Sequence, residues 1–133
     1  MEFKASHRHA PMSARKARLV IDLVRGLPVN KALDTLGTTH RRAAAMIDKV
    51  IRSAVANAEH EKALSANELF VKTALINEGP LKQGRLRWRP GAMGRMNPFR
   101  KRTSHIHVTL GVVEGKSKPA RAKADKASAE DKD

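Results

Sequence analysis

Residues 79–102 carry eight basic side chains and no acidic one: Lys82, Arg85, Arg87, Arg89, Arg95, Arg100, Lys101 and Arg102. Six of the eight are arginines. A guanidinium presents a planar fork of donors that fits phosphate oxygens and stacks on bases, whereas an ammonium is a point charge. Unopposed cations at this density imply a polyanionic partner, with counterion release favouring association and salt weakening it. Trp88 lies between Arg87 and Arg89. It offers either a face on which an unpaired base stacks or a packing surface against a facing arm. A second basic group, Arg8, Arg15, Lys16 and Arg18, surrounds an expected helix start. Free N–H groups there favour phosphate; the alternative is an ordinary exposed helix face.

Other chemistries find no support. Two His-x-His pairs, His7-Arg8-His9 and His105-Ile106-His107, each share a strand face, but no cysteine joins them and no carboxylate lies near. Hydrogen bonding to RNA or simple exposure is expected of them, and no metal or other cofactor. No Gly-x-Ser-x-Gly elbow, phosphate loop or dinucleotide fingerprint occurs. Asp22, Asp34, Asp48 and Glu59 are spaced as helix surface charges, not as a pair over a pocket. The expectation is therefore no catalytic residue, no enzyme and no small-molecule substrate.

The total charge agrees with this. Lys and Arg number 27 against 13 Asp and Glu, a formal net charge of +14. Residues 114–133 account for only +1 of it, leaving +13 on residues 1–113. A compact monomer with that imbalance repels itself unless it sits against a polyanion. There is no cysteine, so disulfides and thiolate zinc are excluded. The start, Met1-Glu2-Phe3-Lys4, has no signal-like apolar run, and no stretch approaches the roughly 20 apolar residues of a membrane span. A soluble, cytoplasmic chain without a membrane partner is expected.

These cations need elements to position them. At 133 residues the chain suits one domain. Residues 1–9 suit an extended start. Ser13 is a fitting N-cap for a helix over residues 14–25, with Ala14, Ala17, Val20, Ile21 and Val24 on one face and Gly26 at its end. Pro28 suits the first turn of a short helix with the stripe Val29, Ala32, Leu33 and Leu36, closed by Gly37. Thr38 or Thr39 then caps a third helix to about His60, whose stripe runs Ala43, Met46, Ile47, Val50, Ile51, Ala54, Val55 and Ala58. Beyond Ser65 the period drops to two. Leu69, Val71, Thr73 and Leu75 alternate with Phe70, Lys72, Ala74 and Ile76, which predicts a strand with one unbroken face against the helices. A second strand is expected over residues 103–113, with Ile106, Val108, Leu110 and Val112 on one face. The pattern predicts an α+β domain: three helices packed on a small antiparallel sheet, with a long protruding β-hairpin over residues 78–104. The connection is far longer than an ordinary hairpin loop, so it is either disordered or a functional extension. Extended arms would carry its tip roughly 35 Å from Gly79. Such a ribbon should order only when RNA surrounds it. Residues 114–133 read as a disordered, charged tail.

Several blocks together resemble the bacterial large-subunit ribosomal protein L22 family. They are His7-Arg8-His9-Ala10, Ser13-Ala14-Arg15-Lys16-Ala17-Arg18-Leu19-Val20, Leu23-Val24-Arg25-Gly26, Ala32-Leu33, Ser53-Ala54-Val55-Ala56-Asn57-Ala58-Glu59-His60, Glu78-Gly79-Pro80, Gly94-Arg95 and, above all, Lys101-Arg102-Thr103-Ser104-His105-Ile106. The resemblance implies a small α+β domain on large-subunit ribosomal RNA, beside other large-subunit proteins. It implies a hairpin that threads inward, supports assembly and lines the nascent-polypeptide exit tunnel with its tip, here Arg89-Pro90-Gly91-Ala92-Met93-Gly94-Arg95. It also adds Arg25, Thr103, Ser104 and His105 to the RNA-binding residues. Three departures from the family plan stand out, one of them Trp88, which is unusual near the tip. The arm before Pro90 is about three residues longer around residues 83–87, and Pro98 in the returning arm should force a bulge or an unpaired edge position.

Overall fold

The computed structural model describes residues 1–62 and 64–112. The expected tail at 114–133 lies outside the described residues. The chain runs β1 (Glu2–Ala10), α1 (Ala14–Ile21), α2 (Val29–Thr38), α3 (Arg42–Lys62), β2 (Leu69–Leu81), β3 (Arg87–Pro90), β4 (Met96–Phe99) and β5 (Arg102–Val112). It is the expected α+β fold. Alternation in β5 buries Ile106, Val108 and Leu110 on one face, and this strand lies at the centre of an antiparallel sheet of order β1-β5-β2. The three helices cover that face. α3 presents Ala43, Ile47, Val50, Ile51, Ala54 and Ala58 at three- and four-residue spacings, all buried. Each buried Ile or Leu contributes about 1.5–3 kcal/mol relative to exposure. Phe70 on the outer face packs over Gly111, where an added Cβ would lie 2.9 Å from the ring.

Three helix boundaries differ from the sequence expectation. α1 stops at Ile21 instead of Arg25; a looser turn carries Val24 into the core, and Gly26 with φ +79 ends it. Ser13 has the extended backbone of an N-cap, but its hydroxyl makes no capping bond. Pro28 caps α2 with its carbonyl, which accepts from the Ala32 N–H at 2.9 Å. The threonines close α2 instead of opening α3: the hydroxyls of Thr38 and Thr39 both donate to the Thr35 carbonyl. Local back-bonding to a helix carbonyl competes with capping the next element, and here it wins.

The unbroken face expected in β2 does not exist. Register slips between Val71 and Thr73, where Lys72 is the extra residue against β5. Leu69 and Val71 are buried before the slip, Ala74 and Ile76 after it, and Leu75 is exposed. A bulge reverses the alternation because side chains repeat every two residues.

The slip also sets the free edge of β2. Val71 exchanges backbone bonds with the turn after α1, its carbonyl accepting from Gly26 and its N–H donating to Leu27. Further along, Nε and Nη2 of Arg25 both donate to the Ala74 carbonyl, and the same atoms of Arg18 donate to the Ile76 carbonyl. Arg25 also pairs with Asp22 at 2.8 Å. Two arginines of α1 and its following turn thus occupy the carbonyls of an edge strand that another chain could otherwise pair with.

At the far edge, Arg8 and His9 of β1 oppose the single residue His105, a second bulge, with His9 at φ +57. The His9 N–H donates to Nδ1 of His105 at 3.0 Å, and the two rings meet edge to face at 4.7 Å. That bond needs an unprotonated Nδ1. Desolvation, followed by the charges of His9, Arg8 and His107, holds the His105 imidazole below the ordinary histidine value.

Two outcomes are expected. Arg18→Ala and Arg25→Ala should each cost about 0.5–1.5 kcal/mol in urea unfolding, and the double variant should self-associate by light scattering. Unchanged midpoints in both would refute the edge-sealing role. For His105, the unfolded chain takes up the proton first as pH falls. Its contribution is therefore complete above the ordinary value near 6.5 and is lost as pH drops through that value toward the lowered folded one. His105→Asn keeps an acceptor and removes the titration, so its melting temperature should gain on the native chain's between pH 7.5 and 5.5. A pH-independent difference would contradict this.

Candidate nucleic-acid interface

The hairpin grows out of the β2–β5 pair and changes character three times along its length. At its root, Glu78 pairs with Ser104 and Leu81 with Arg102, with one extra residue on the outgoing side. The Thr103 hydroxyl donates to the Pro80 carbonyl at 2.5 Å. Gly79 is required there, since a Cβ would lie 2.6 Å from Thr103 Oγ1. Next, residues 82–86 on the outgoing arm face only Arg100 and Lys101 on the return. This mismatch between the arms falls in the same stretch, around residues 83–87, that reads as long against the family plan. It is absorbed by a tight turn at Lys82–Gly84, with Gln83 at φ +62 and Gly84 at φ +70, tied down by Lys82 N–H donating to the Lys101 carbonyl at 2.8 Å. The arms are therefore not one continuous extended ribbon.

Beyond this kink β3 and β4 pair regularly: Arg87 with Phe99, Trp88 with Pro98, Arg89 with Asn97, Pro90 with Met96. The Gly91 N–H donates to the Arg95 carbonyl at 2.6 Å. Hydrogen-bonded and open pairs alternate in an antiparallel ladder, so Pro90 and Pro98 both fall at open pairs, their nitrogens directed outward. Pro98 therefore needs no bulge; it takes the edge position. The same alternation divides the ribbon into two faces. Arg87, Arg89 and Arg95 share one with Phe99, whose ring lies 4.6 Å below the Arg89 guanidinium. Trp88, Pro90, Met96 and Pro98 share the other, with Trp88 53% and Met96 64% exposed. At the tip, Ala92–Gly94 turn the chain with Met93 at φ +56 and Gly94 at φ +69, and Met93 is 96% exposed.

The remaining basic residues converge on the root. Lys16 from α1, Arg42 from the start of α3, Lys82, Arg100, Lys101 and Arg102 line one cleft of about 610 Å³ together with Pro11, Met12 and Ser13. Arg15 lines a neighbouring hollow beside Gly79 and Arg102. Arg85 is exposed at the kink. Arg42 was not among the residues the sequence singled out; the Arg41-Arg42 pair at a helix start was the available signal. Arg8 is exposed on β1, and His7 faces the helices beside Lys49 and Ser53.

Besides His105, which accepts from the His9 N–H, four expected RNA-binding residues have structural employment in the fold. Arg18 and Arg25 seal the β2 edge. Thr103 and Ser104 are buried, Thr103 bonded to Pro80 and the Ser104 hydroxyl without a partner among the described residues. Among the described residues no group of three or more His, Asp or Glu side chains could hold a metal ion. No described helix is long and apolar enough to cross a membrane.

Residues 5–111 match the family model described as ribosomal protein L22p/L17e. The large ribosomal subunit protein uL22 of Bdellovibrio bacteriovorus is 48% identical over 110 residues, covering 83% of this chain and 97% of that protein. With the matched segment spanning β1 through β5 and the whole hairpin, this chain belongs to the ribosomal protein L22p/L17e family.

Proposed function

We propose that the chain is a structural constituent of the large ribosomal subunit that binds its ribosomal RNA, supports assembly and lines the nascent-polypeptide exit tunnel with its hairpin tip. The observation that carries this reading is the two-faced ribbon: Arg87, Arg89 and Arg95 on one side, Trp88, Pro90, Met96 and Pro98 on the other, with no acidic residue anywhere in 79–102. A two-stranded ribbon of four pairs buries little of itself and is marginal in water. Surrounded by RNA, its cations neutralise phosphates while Trp88 offers a stacking surface to an unpaired base. Between Arg89 and Arg95 the tip is Pro90-Gly91-Ala92-Met93-Gly94, which exposes Met93 and carries no hydrogen-bonding side chain. Such a surface lets a passing polypeptide slide without specific capture. His7, Arg8, His9, Arg15, Lys16, Lys82, Arg85, Arg100, Lys101, Arg102 and His105 extend the RNA contact from the ribbon onto the body. Arg18, Arg25, Thr103 and Ser104 act chiefly by holding that surface in place. Neighbouring large-subunit proteins and the nascent chain complete the partners, in the cytoplasm. The role is structural, and no catalytic step is assigned to any residue.

The chain should co-sediment with large subunits through a sucrose gradient in moderate salt. Recovery solely in light, subunit-free fractions would instead support a free-standing RNA chaperone. Hydrogen exchange on the free protein should be fast over residues 82–100 and slow in α1 and α3. Strong protection of the hairpin without RNA would contradict its dependence on a partner. Crosslinks from Trp88 and Met93 in intact ribosomes should reach RNA and nascent chain respectively; a Met93 that reaches neither would remove the tunnel assignment.

A further inference from the structure

The cleft at the hairpin root has a composition that the general RNA-binding reading does not require. Its cations come from segments far apart in sequence: Lys16 and Arg42 from the helical body, Lys82 from the outgoing arm, and Arg100, Lys101 and Arg102 from the return. Among the described residues no carboxylate lines it. Six like charges around about 610 Å³ repel one another in the free protein, and an anion between them relieves that repulsion. The start of α1 opens beside the same space. Its N-cap hydroxyl, Ser13, makes no capping bond, and its first turn has no acidic residue. The backbone N–H groups of the first turn have no intrahelical partner. Donors therefore converge here from side chains and backbone, and Lys and Arg side chains offer no acceptor in return.

We propose that this cleft, resting on the RNA-binding role above, is a sequence-independent clamp for a run of RNA backbone phosphates, and that its occupancy sets the angle of the hairpin to the body. The volume lies within the range of ligand pockets, about 300–1,000 Å³, and accommodates a short stretch of sugar–phosphate. Six cations match several phosphates better than one. The lining is dominated by Lys and Arg, whose charge is matched by backbone phosphates whatever the base, so the clamp positions without specifying. The hinge lies in the same place. The five-against-two kink at residues 82–86 and 100–101 is the weakest-paired part of the hairpin, and Lys82, Arg100 and Lys101 belong to it. An RNA strand that bridges Lys16 and Arg42 to those three ties the moving part to the fixed part.

The test uses the full chain and bacterial large-subunit ribosomal RNA. The cleft variant Lys16→Gln/Arg42→Gln/Lys101→Gln is compared with a distal variant of equal charge, Lys31→Gln/Lys62→Gln/Lys72→Gln, both checked for native helix protection. Filter binding of the cleft variant should weaken at least about tenfold, with its salt slope reduced by about 2–3, while the distal variant changes less than about threefold. Equal losses would overturn the clamp and leave diffuse RNA binding intact. A native chain that fails to bind the RNA would overturn the functional reading itself. At saturating RNA, residues 86–100 should be slow to exchange in the native chain and remain fast in the cleft variant. Equal protection in both would overturn the orienting role. Inorganic phosphate alone, at matched ionic strength, should leave that exchange fast; protection by phosphate would reassign the cleft to a free anion.

Discussion

β5 pairs along both of its edges, with β1 from Glu2 and with β2 from Leu69, while its buried face receives the helices through Ile106, Val108 and Leu110. The two strands that leave the sheet to form the hairpin are β2 and this same β5. The hairpin is thus a continuation of the most constrained pair in the molecule, and its direction at the root is decided by core packing. A cationic arm on a flexible loop would have to be ordered entirely by its partner. Here the root up to Leu81 is already fixed by the sheet, which leaves less chain for any partner to order.

Charge and core are segregated with little compromise. The core is built from small and branched apolar residues, with Phe3 its one buried aromatic among the described residues. The hairpin carries Trp88 and Phe99 instead, where Phe99 supports Arg89 and Trp88 stays half exposed. Aromatic area that would ordinarily stabilise a core is placed where it can meet bases.

Both edges of the sheet are covered by side-chain donors, cationic ones at β2 and a neutral amide at β1. Arg18 and Arg25 occupy β2 carbonyls, and Asn57 of α3 donates to the Lys4 carbonyl of β1 at 3.1 Å. Side chains that resemble RNA ligands when the sequence is read alone prove to be donors to the protein's own backbone. A guanidinium serves phosphate and carbonyl oxygens equally well, so residue type cannot separate the two uses.

Much of this was legible in the sequence. The three apolar stripes, the period-two segments and the unbalanced charge of residues 79–102 determined the fold class and the candidate surface, because periodicity and charge are local properties of the chain. The extra residues before Pro90 were visible as a length mismatch. What tertiary structure decided was everything that depends on pairing. The Lys72 bulge exchanged the faces of β2; the threonines after Leu36 closed one helix instead of opening another; Ser104 went inside; and Arg42, more than 50 residues from Arg100, joined it in one cleft. Register and convergence come from the competition of distant segments for the same hydrogen bonds and the same buried volume. No single segment carries that information. The basic stretch itself was evident from composition, but its division into a sheet-bonded root, a kink and a two-faced ribbon came from a five-against-two mismatch that exists only once both arms are paired.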